Sequence, residues 1–465
     1  MDKENLEFFN MMKKNLKSKE AFHKSRNALY DGEYSAAGLE IAVSADVSAR
    51  LNPRLEWAKI AVDGFTSRVV FDAFRNDNLG FTRMFCNNNG EARVRDAIKN
   101  SVISACSFVS VLIKDDNGVQ RPVFTPYTGG EATGHYDSNS NKLTHGLVTQ
   151  MSGNKIGSYL YFTPGNVSKV DPEGNVIKSV DLPINEVALV PFVFNQDLAR
   201  RPFGESRINK GAISALDSAL RNIKLIEIAS ELGVGMGNLL MVNTQDPKNI
   251  NLDDVESYMG RVNMLVNTDP NGSSVLEKLT GPSTKELQEM MSINANNFAS
   301  SVGLPVTMFG SQPANGSFSQ ETMIEQARPY EATTRACRES YGQSIKWMCI
   351  LAMGLLTGSI REEYYDIETV WIDDLDGSKV GKIGDGLFKA KESFGDLISD
   401  EYVRSKLGIP LRPSVLNVSY PNFSAARNLS SALEELNVSD IDEDGNITSP
   451  ASRMPTPLET FGRRR

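Results

Sequence analysis

Histidine and cysteine are scarce in this chain, three and four in 465 residues. His23, His135 and His145 have no metal-ligand spacing, and Cys86, Cys106, Cys337 and Cys349 form no Cys-x-x-Cys pair. A zinc site or a dithiol redox centre is therefore not predicted, and buried thiols in a reducing compartment are. Long apolar runs are also missing. The longest reaches only from Trp347 to Leu356, against the roughly 20 residues a bilayer span needs. The opening Met1-Asp2-Lys3-Glu4-Asn5 lacks the basic-then-apolar order of a signal peptide, so a soluble chain with no membrane partner is expected. Arg200-Arg201 and Arg463–Arg465 are basic groups too small to define a nucleic-acid surface, and the formal net charge is -9. That balance excludes a protein built to grip nucleic-acid phosphates, which takes clustered Lys and Arg. It remains compatible with a surface past which DNA must slide without sticking.

Catalytic signatures are absent as well. No Gly-x-Ser-x-Gly elbow or Cys–His pairing stands out. Gly233-x-Gly235-x-Gly237 follows a helix pattern instead of a strand and lacks the third spacing of a dinucleotide fingerprint, so it reads as a helix end and hinge. Gly377-Ser378-Lys379-Val380-Gly381-Lys382-Ile383 lacks the Walker order, and no ATP hydrolysis is expected of the chain itself. Asp440, Asp442, Asp444 and Gly445 match half of a calcium loop, but Ala451 stands where the bidentate Glu belongs. Asp373, Asp374 and Asp376 form an acidic cluster whose ordinary fate is a solvated loop. A metal-dependent nuclease or transferase using those three carboxylates is the alternative function. The aromatic strand Tyr159–Phe162 reads as sheet core, not as a base-stacking platform. No cofactor and no metal is predicted, nor is any catalytic residue.

What is present is a folded composition, 40% hydrophobic and 23% charged, long enough for roughly two to four domains. Residues 3–30 carry Leu6, Phe9, Met12 and Leu16 on one helical face, ended by the turn chemistry of Asp31-Gly32. Further helices are expected from Pro53 to about Phe71 and from Arg93 to Ser107. Between Phe108 and Asn195 the period changes to short β runs. Val109–Ile113 leads into Asp115-Asp116-Asn117-Gly118, a hairpin signal, and Asp171–Asn175 is another turn. Tyr159–Thr163 and Val187–Phe192 are further strands. After Phe203-Gly204-Glu205-Ser206 a long helix carries the stripe Ala212, Leu216, Ala219, Ile223 and Ile226. A turn-rich insert follows, with Leu240-Met241-Val242 and Met264-Leu265-Val266 as strands. The next helix, with Ser283 and Glu286 at capping-box spacing, carries Leu287, Met291, Ala295, Phe298 and Val302. Gly303-Leu304-Pro305 breaks it. A polar loop with Gln312, Asn315, Ser317 and Phe318 precedes a last long helix to about Met353, in which Pro329 should make a kink. The fold class is α+β.

In this order the segments resemble the tailed-bacteriophage portal proteins, over roughly residues 25–410. The carriers are Ala28-Leu29-Tyr30-Asp31-Gly32, Asn52-Pro53-Arg54, Val62–Arg68, Val187–Asn195, Phe203–Ile208 and the helix–Gly303-Leu304-Pro305–loop–helix run. The resemblance implies a ring, usually of twelve subunits, at one capsid vertex of a virion, assembled in the host cytoplasm. Such a ring serves genome packaging, head-tail joining and genome ejection. It also implies a portal-like architecture: wing 1–204, stem helix 205–238, clip 239–282, second stem helix 283–302, tunnel loop 303–318, wing 319–384 with a strand after the long helix, helical crown 385–435 and tail 436–465. Its implied partners are other copies of the chain, the major capsid protein, the terminase large subunit, a head-tail adaptor, a scaffolding protein and double-stranded DNA in transit, held without sequence specificity. The stem stripe, with Leu287, Met291 and Phe298, would lie at subunit interfaces. Gln312, Asn315, Ser317 and Phe318 would face DNA.

Overall fold

The computed structural model describes residues 2–35, 51–116, 118–137, 142–153, 155–197, 199–235, 238–243, 263–267, 275–278, 284–309 and 320–372. Helices α1 (Lys3–Tyr30) and α2 (Trp57–Thr66) lead to strand β1 (Phe71–Arg75), then to α3 (Phe81–Asn87) and α4 (Gly90–Ser104). Eight strands follow: β2 (Cys106–Asp116), β3 (Val119–Thr128), β4 (Ala132–Tyr136), β5 (Leu143–Ser152), β6 (Lys155–Thr163), β7 (Asn166–Val170), β8 (Val176–Asp181) and β9 (Leu189–Val193). Helix α5 (Lys210–Gly235), strands β10 (Asn238–Asn243), β11 (Asn263–Asn267) and β12 (Val275–Lys278), and helix α6 (Thr284–Val302) come next. A 3-10 turn (Val306–Phe309), helix α7 (Gln320–Thr357), a second 3-10 turn (Glu362–Asp366) and β13 (Glu368–Trp371) complete the order. The class is α+β, as expected.

The chain forms two compact units. The first gathers the described residues up to Lys24, those of Asp63–Arg207 and those from Thr334 on; the second gathers those of Ser25–Val62 and Ile208–Thr333.

In the first unit, β3, β2 and β9 make one antiparallel sheet, and β4 to β8 make a five-stranded meander. The hairpin expected at Asp115–Gly118 is there: Asp116 pairs with Val119, and Gly118 N donates to Asp115 Oδ1 at 2.6 Å. The turn at Asp171 is held by its own carboxylate, whose Oδ1 accepts from Glu173 N at 3.0 Å and Asn175 N at 2.7 Å. The apolar face expected on α1 is buried against the meander. Phe9 and Met12 pack with Leu147, Tyr159, Tyr161 and Val170, and Phe9 meets the two tyrosine rings edge-on at 5.5 and 6.0 Å.

Two expectations need correction here. The helix predicted from Pro53 to Phe71 is shorter, Trp57–Thr66, and Phe71 begins a strand instead. Phe71 pairs with Trp371 of β13, a partner far away in sequence that no local window contains. The helix predicted over 93–107 ends at Ser104 because Ala105 takes φ 74, and Cys106 already belongs to β2. Helix α3 was not foreseen. The Asp77 carboxylate holds its start, accepting from Phe81 N and Thr82 N at 2.7 Å each.

Two segments that carry the portal resemblance are stitched together by backbone bonds. Glu205 N donates to Phe194 O (3.0 Å), Phe194 N to Ala105 O (2.9 Å) and Arg207 N to Val102 O (3.0 Å). Ser206 Oγ adds a bond to Ile103 O at 2.6 Å. Gly204 sits at the crossing with φ 70, and a Cβ there would lie 2.1 Å from Phe194 O. No side chain fits, which is the physical reason for a glycine in Phe203-Gly204-Glu205. The buried Arg207 guanidinium stacks 4.3 Å from the Phe65 ring centre.

Helix α7 runs through the exposed Pro329 as one helix from Gln320 to Thr357. Its second half belongs to the first unit. There Tyr341 and Ser101 share a buried 2.7 Å hydroxyl contact, and Arg338 Nη2 donates to Arg68 O (2.6 Å) and Ile372 O (2.8 Å). The strand expected after this helix is β13.

Candidate functional site

The second unit is built on α5 and α6. Helix α5 places Ala212, Ala215, Leu216, Ala219 and Leu220 on one face, all buried. Helix α6 answers with Leu287, Ala295, Phe298, Ala299 and Val302. The two helices pack directly on one another. Alanines on α5 let the axes approach closely, and i, i+3 and i+4 spacing keeps the stripe continuous. The direction of the pair follows from one residue: Asn209 Oδ1 accepts from Ala212 N at 2.9 Å, while its Nδ2 donates to Ser301 O at 2.6 Å. The start of α5 is thus tied to the end of α6, and the helices run antiparallel.

Helix α6 stops in a Schellman motif. Gly303 has φ +64, its N donates to Ser300 O (3.3 Å), and Leu304 N reaches back to Ala299 O (3.0 Å). The break expected at Gly303-Leu304-Pro305 therefore has a hydrogen-bonded form. Beyond it, Phe309 of the 3-10 turn packs against Phe298 (5.0 Å), and Trp57 closes the cluster at 5.5 and 6.1 Å from the two rings. Polar groups lie on the flank of α5. Asp217 pairs with Arg221 at 2.7 Å and accepts from Tyr34 Oη at 3.3 Å. Burial, then the Asp217 charge, pushes the Tyr34 phenol above its ordinary range.

Between the helices in chain order comes a small sheet, β11-β10-β12, parallel between β10 and β11 and antiparallel between β10 and β12. Its first two strands fall on the Leu240–Val242 and Met264–Val266 runs singled out in the sequence. β12 was not singled out, because Val275-Leu276-Glu277-Lys278 is only four residues long and shows no alternation.

The residues marked for an interface divide into two groups. Ala212, Leu216, Ala219, Leu287 and Phe298 are covered by the chain's own helix pair, at 0–4% exposure. Ile223, Ile226 and Met291 are half-buried, and Met290 and Ile293 on α6 are exposed at 47% and 58%. The pair thus closes its centre and leaves apolar groups on its flanks. Gln312, Asn315, Ser317 and Phe318 lie outside the described residues. So do Asp373, Asp374, Asp376, the 377–383 segment, the 440–445 cluster, the 385–435 segment and the 436–465 tail. Gly233 and Gly235 fall in the last turn of α5.

Chemistry that the sequence left open can be checked where side chains are described. Among the described residues no group of three or more His, Cys, Asp or Glu is placed to hold a metal ion. Cys106, Cys337 and Cys349 are buried, whereas Cys86 is exposed, contrary to the expectation of buried thiols throughout. Burial pushes the Cys106 and Cys337 thiols up to about 11, and burial with the Glu91 carboxylate does the same to Cys86. None is a thiolate nucleophile near neutrality. Among the described residues no helix is long and apolar enough to cross a membrane.

No protein-family profile and no curated protein sequence matches the chain. Among solved structures, a chain from the virion of a native gene transfer agent particle is similar at a TM-score of 0.44 and 15% identity, covering 83% of this chain and 99% of that one. A chain from the neck of a native gene transfer agent particle, computed with C12 symmetry, is similar at 0.42 and 14%, covering 81% and 96%.

Proposed function

We propose that the chain is a portal protein: the subunit of a ring that forms a DNA channel at one capsid vertex, for packaging, head-tail joining and ejection. The observation that carries this reading is the antiparallel α5–α6 pair, with a small sheet falling between its helices in chain order, its centre closed and its flanks still apolar. Repeated about an axis, Ile223, Ile226, Met290, Met291 and Ile293 would be covered by neighbouring copies, which removes apolar surface from water. In this reading α5 and α6 are stem helices, the β10–β12 sheet belongs to the clip that docks the terminase motor and later the adaptor, and the meander unit belongs to the wing. Residues 385–435 are assigned to the crown and 303–318 to the tunnel loop. The subunits act as scaffold and channel without catalysing a reaction, in the virion and, before that, at the assembly site. The acidic balance of the chain and the lack of Lys and Arg over 303–318 suit a channel that does not hold its cargo.

The loop assignment has a direct test. Replacing Gln312 and Asn315 with Lys adds two positive charges per subunit, repeated around the ring. DNA presents a phosphate charge about every 1.7 Å of axis, so these lysines would hold the duplex, more strongly at low salt. Rings should assemble normally and packaging should slow or stall, worst at low salt. Packaging at the parental rate at every salt concentration would remove the loop from the DNA path.

A further inference from the structure

All three histidines of the chain line the seam between α1 and the β region. His135 and His145 stand directly opposite each other in the β4–β5 ladder. Phe8 of α1 stacks on His145 with ring centres 4.3 Å apart, and leans on His135 at 5.0 Å. Tyr161 of β6 also stacks with His145, at 5.9 Å. The Nε2 of His145 lies 3.3 Å from Asn5 Oδ1, the oxygen that also accepts from Tyr161 Oη at 3.2 Å, and Nδ1 lies 3.0 Å from Thr144 Oγ1. Further along α1, the buried His23 lies over Gly129 and Gly130, just before β4; a Cβ on Gly129 would meet its ring at 2.8 Å. The first half of α1 is thus seated through aromatic contacts on a cross-strand pair of titratable rings.

We propose that α1 is a pH-controlled clasp: protonation of the His135–His145 pair unseats its first half from the meander and uncovers the Phe9, Met12, Tyr159 and Tyr161 surface. Directly opposed residues of an antiparallel pair have Cβ atoms about 5 Å apart, so two imidazolium charges there repel. The slot between Phe8 and Tyr161 also strips water from a charged ring. The groups facing His145 are Glu4 and Asn5 on α1, His135 on β4, Thr144 beside it and Tyr161 on β6. Burial, then the His135 charge, holds His145 below the ordinary histidine range, with Glu4 opposing them. Tyr161 is kept neutral, its phenol pushed up chiefly by burial. Because the folded-state value is depressed, the stability that His145 contributes is full above its unfolded value of about 6.5 and is lost as pH falls below it. The inference stands apart from the portal assignment and draws only on the first unit.

Hydrogen exchange of the full-length protein tests it, with rates corrected for intrinsic pH dependence. Protection of amides in residues 4–16 should fall severalfold between about pH 7.5 and about pH 5.5, while β2 and β3 stay protected. His145→Phe keeps a stacked ring that cannot take a proton and should hold α1 protected at both values. Glu4→Gln removes a carboxylate that favours the imidazolium in the seated state, so α1 should unseat more readily and the midpoint should move to higher pH. His135→Gln removes the opposing charge and should move it lower, so the outcome does not rest on one variant folding. Equal protection of the parent at both values overturns the proposal. So does the same acid loss in His145→Phe and His135→Gln.

Discussion

Gly204→Ala is expected to destabilise the protein by about 2–5 kcal/mol, the left-handed backbone contributing about 1–2 and the overpacking the rest. The new methyl would press on Phe194 O, on Val193 Cγ1 at 2.7 Å and on Ala105 O at 3.1 Å. Two of these three are backbone atoms fixed by the bonds that join 102–105, 194 and 204–207, so little can yield. Gly303→Ala is the control. It has a similar φ, +64, but nothing lies within 4 Å of its Cβ position. It should therefore show the backbone cost alone, about 1–2 kcal/mol. Denaturant unfolding of the two variants beside the parent measures the gap. Equal losses would mean that the 204 crossing is looser than described.

The second large effect separates folding from assembly. Leu216 is 1% exposed between α5 and α6. Even Leu216→Ala should cost about 2–5 kcal/mol, and Leu216→Asp, which adds the burial of a carboxylate, should cost more and leave the helix pair unfolded. Ile223 is half-buried on the same helix. Ile223→Asp can turn its charge to water in a free subunit, so the chain should fold with a near-parental melting temperature. It could not do so beneath a neighbouring copy, and rings should be lost. Circular dichroism and native mass spectrometry together read both outcomes. Intact rings from Ile223→Asp would move the subunit interface off this flank of α5.

Much of the fold was legible because it is written locally. The face of α1, the Asp115–Gly118 hairpin, the Asp171 turn and the Gly303 stop each need only a few neighbouring residues to specify them. Pairings between distant segments were not legible. The β1–β13 pair joins segments nearly 300 positions apart, Phe71–Arg75 and Glu368–Trp371, and its short strands carry no alternation strong enough to announce it. The stem stripe shows a different limit. Ala212, Leu216 and Ala219 read as an apolar face in either case, but periodicity does not say whether the cover comes from the same chain or from another copy. Here α6 covers them, and the apolar residues still partly exposed sit further along α5 and on α6. The His135–His145 pair was legible only to within one residue. The polar run from Asp137 to Lys142 marks a hairpin whose symmetry places Thr144 opposite His135, and the register shift between His135 and Tyr136 is what brings His145 there instead. Metal-ligand spacing does not mark the two histidines, because two opposed imidazoles do not make a ligand set.

The ring is the central claim, and electron microscopy of the purified full-length protein tests it most directly. Class averages should show closed rings with a central channel, their subunits related by rotation about that channel. Discrete monomers at concentrations well above those used for packaging would contradict the account.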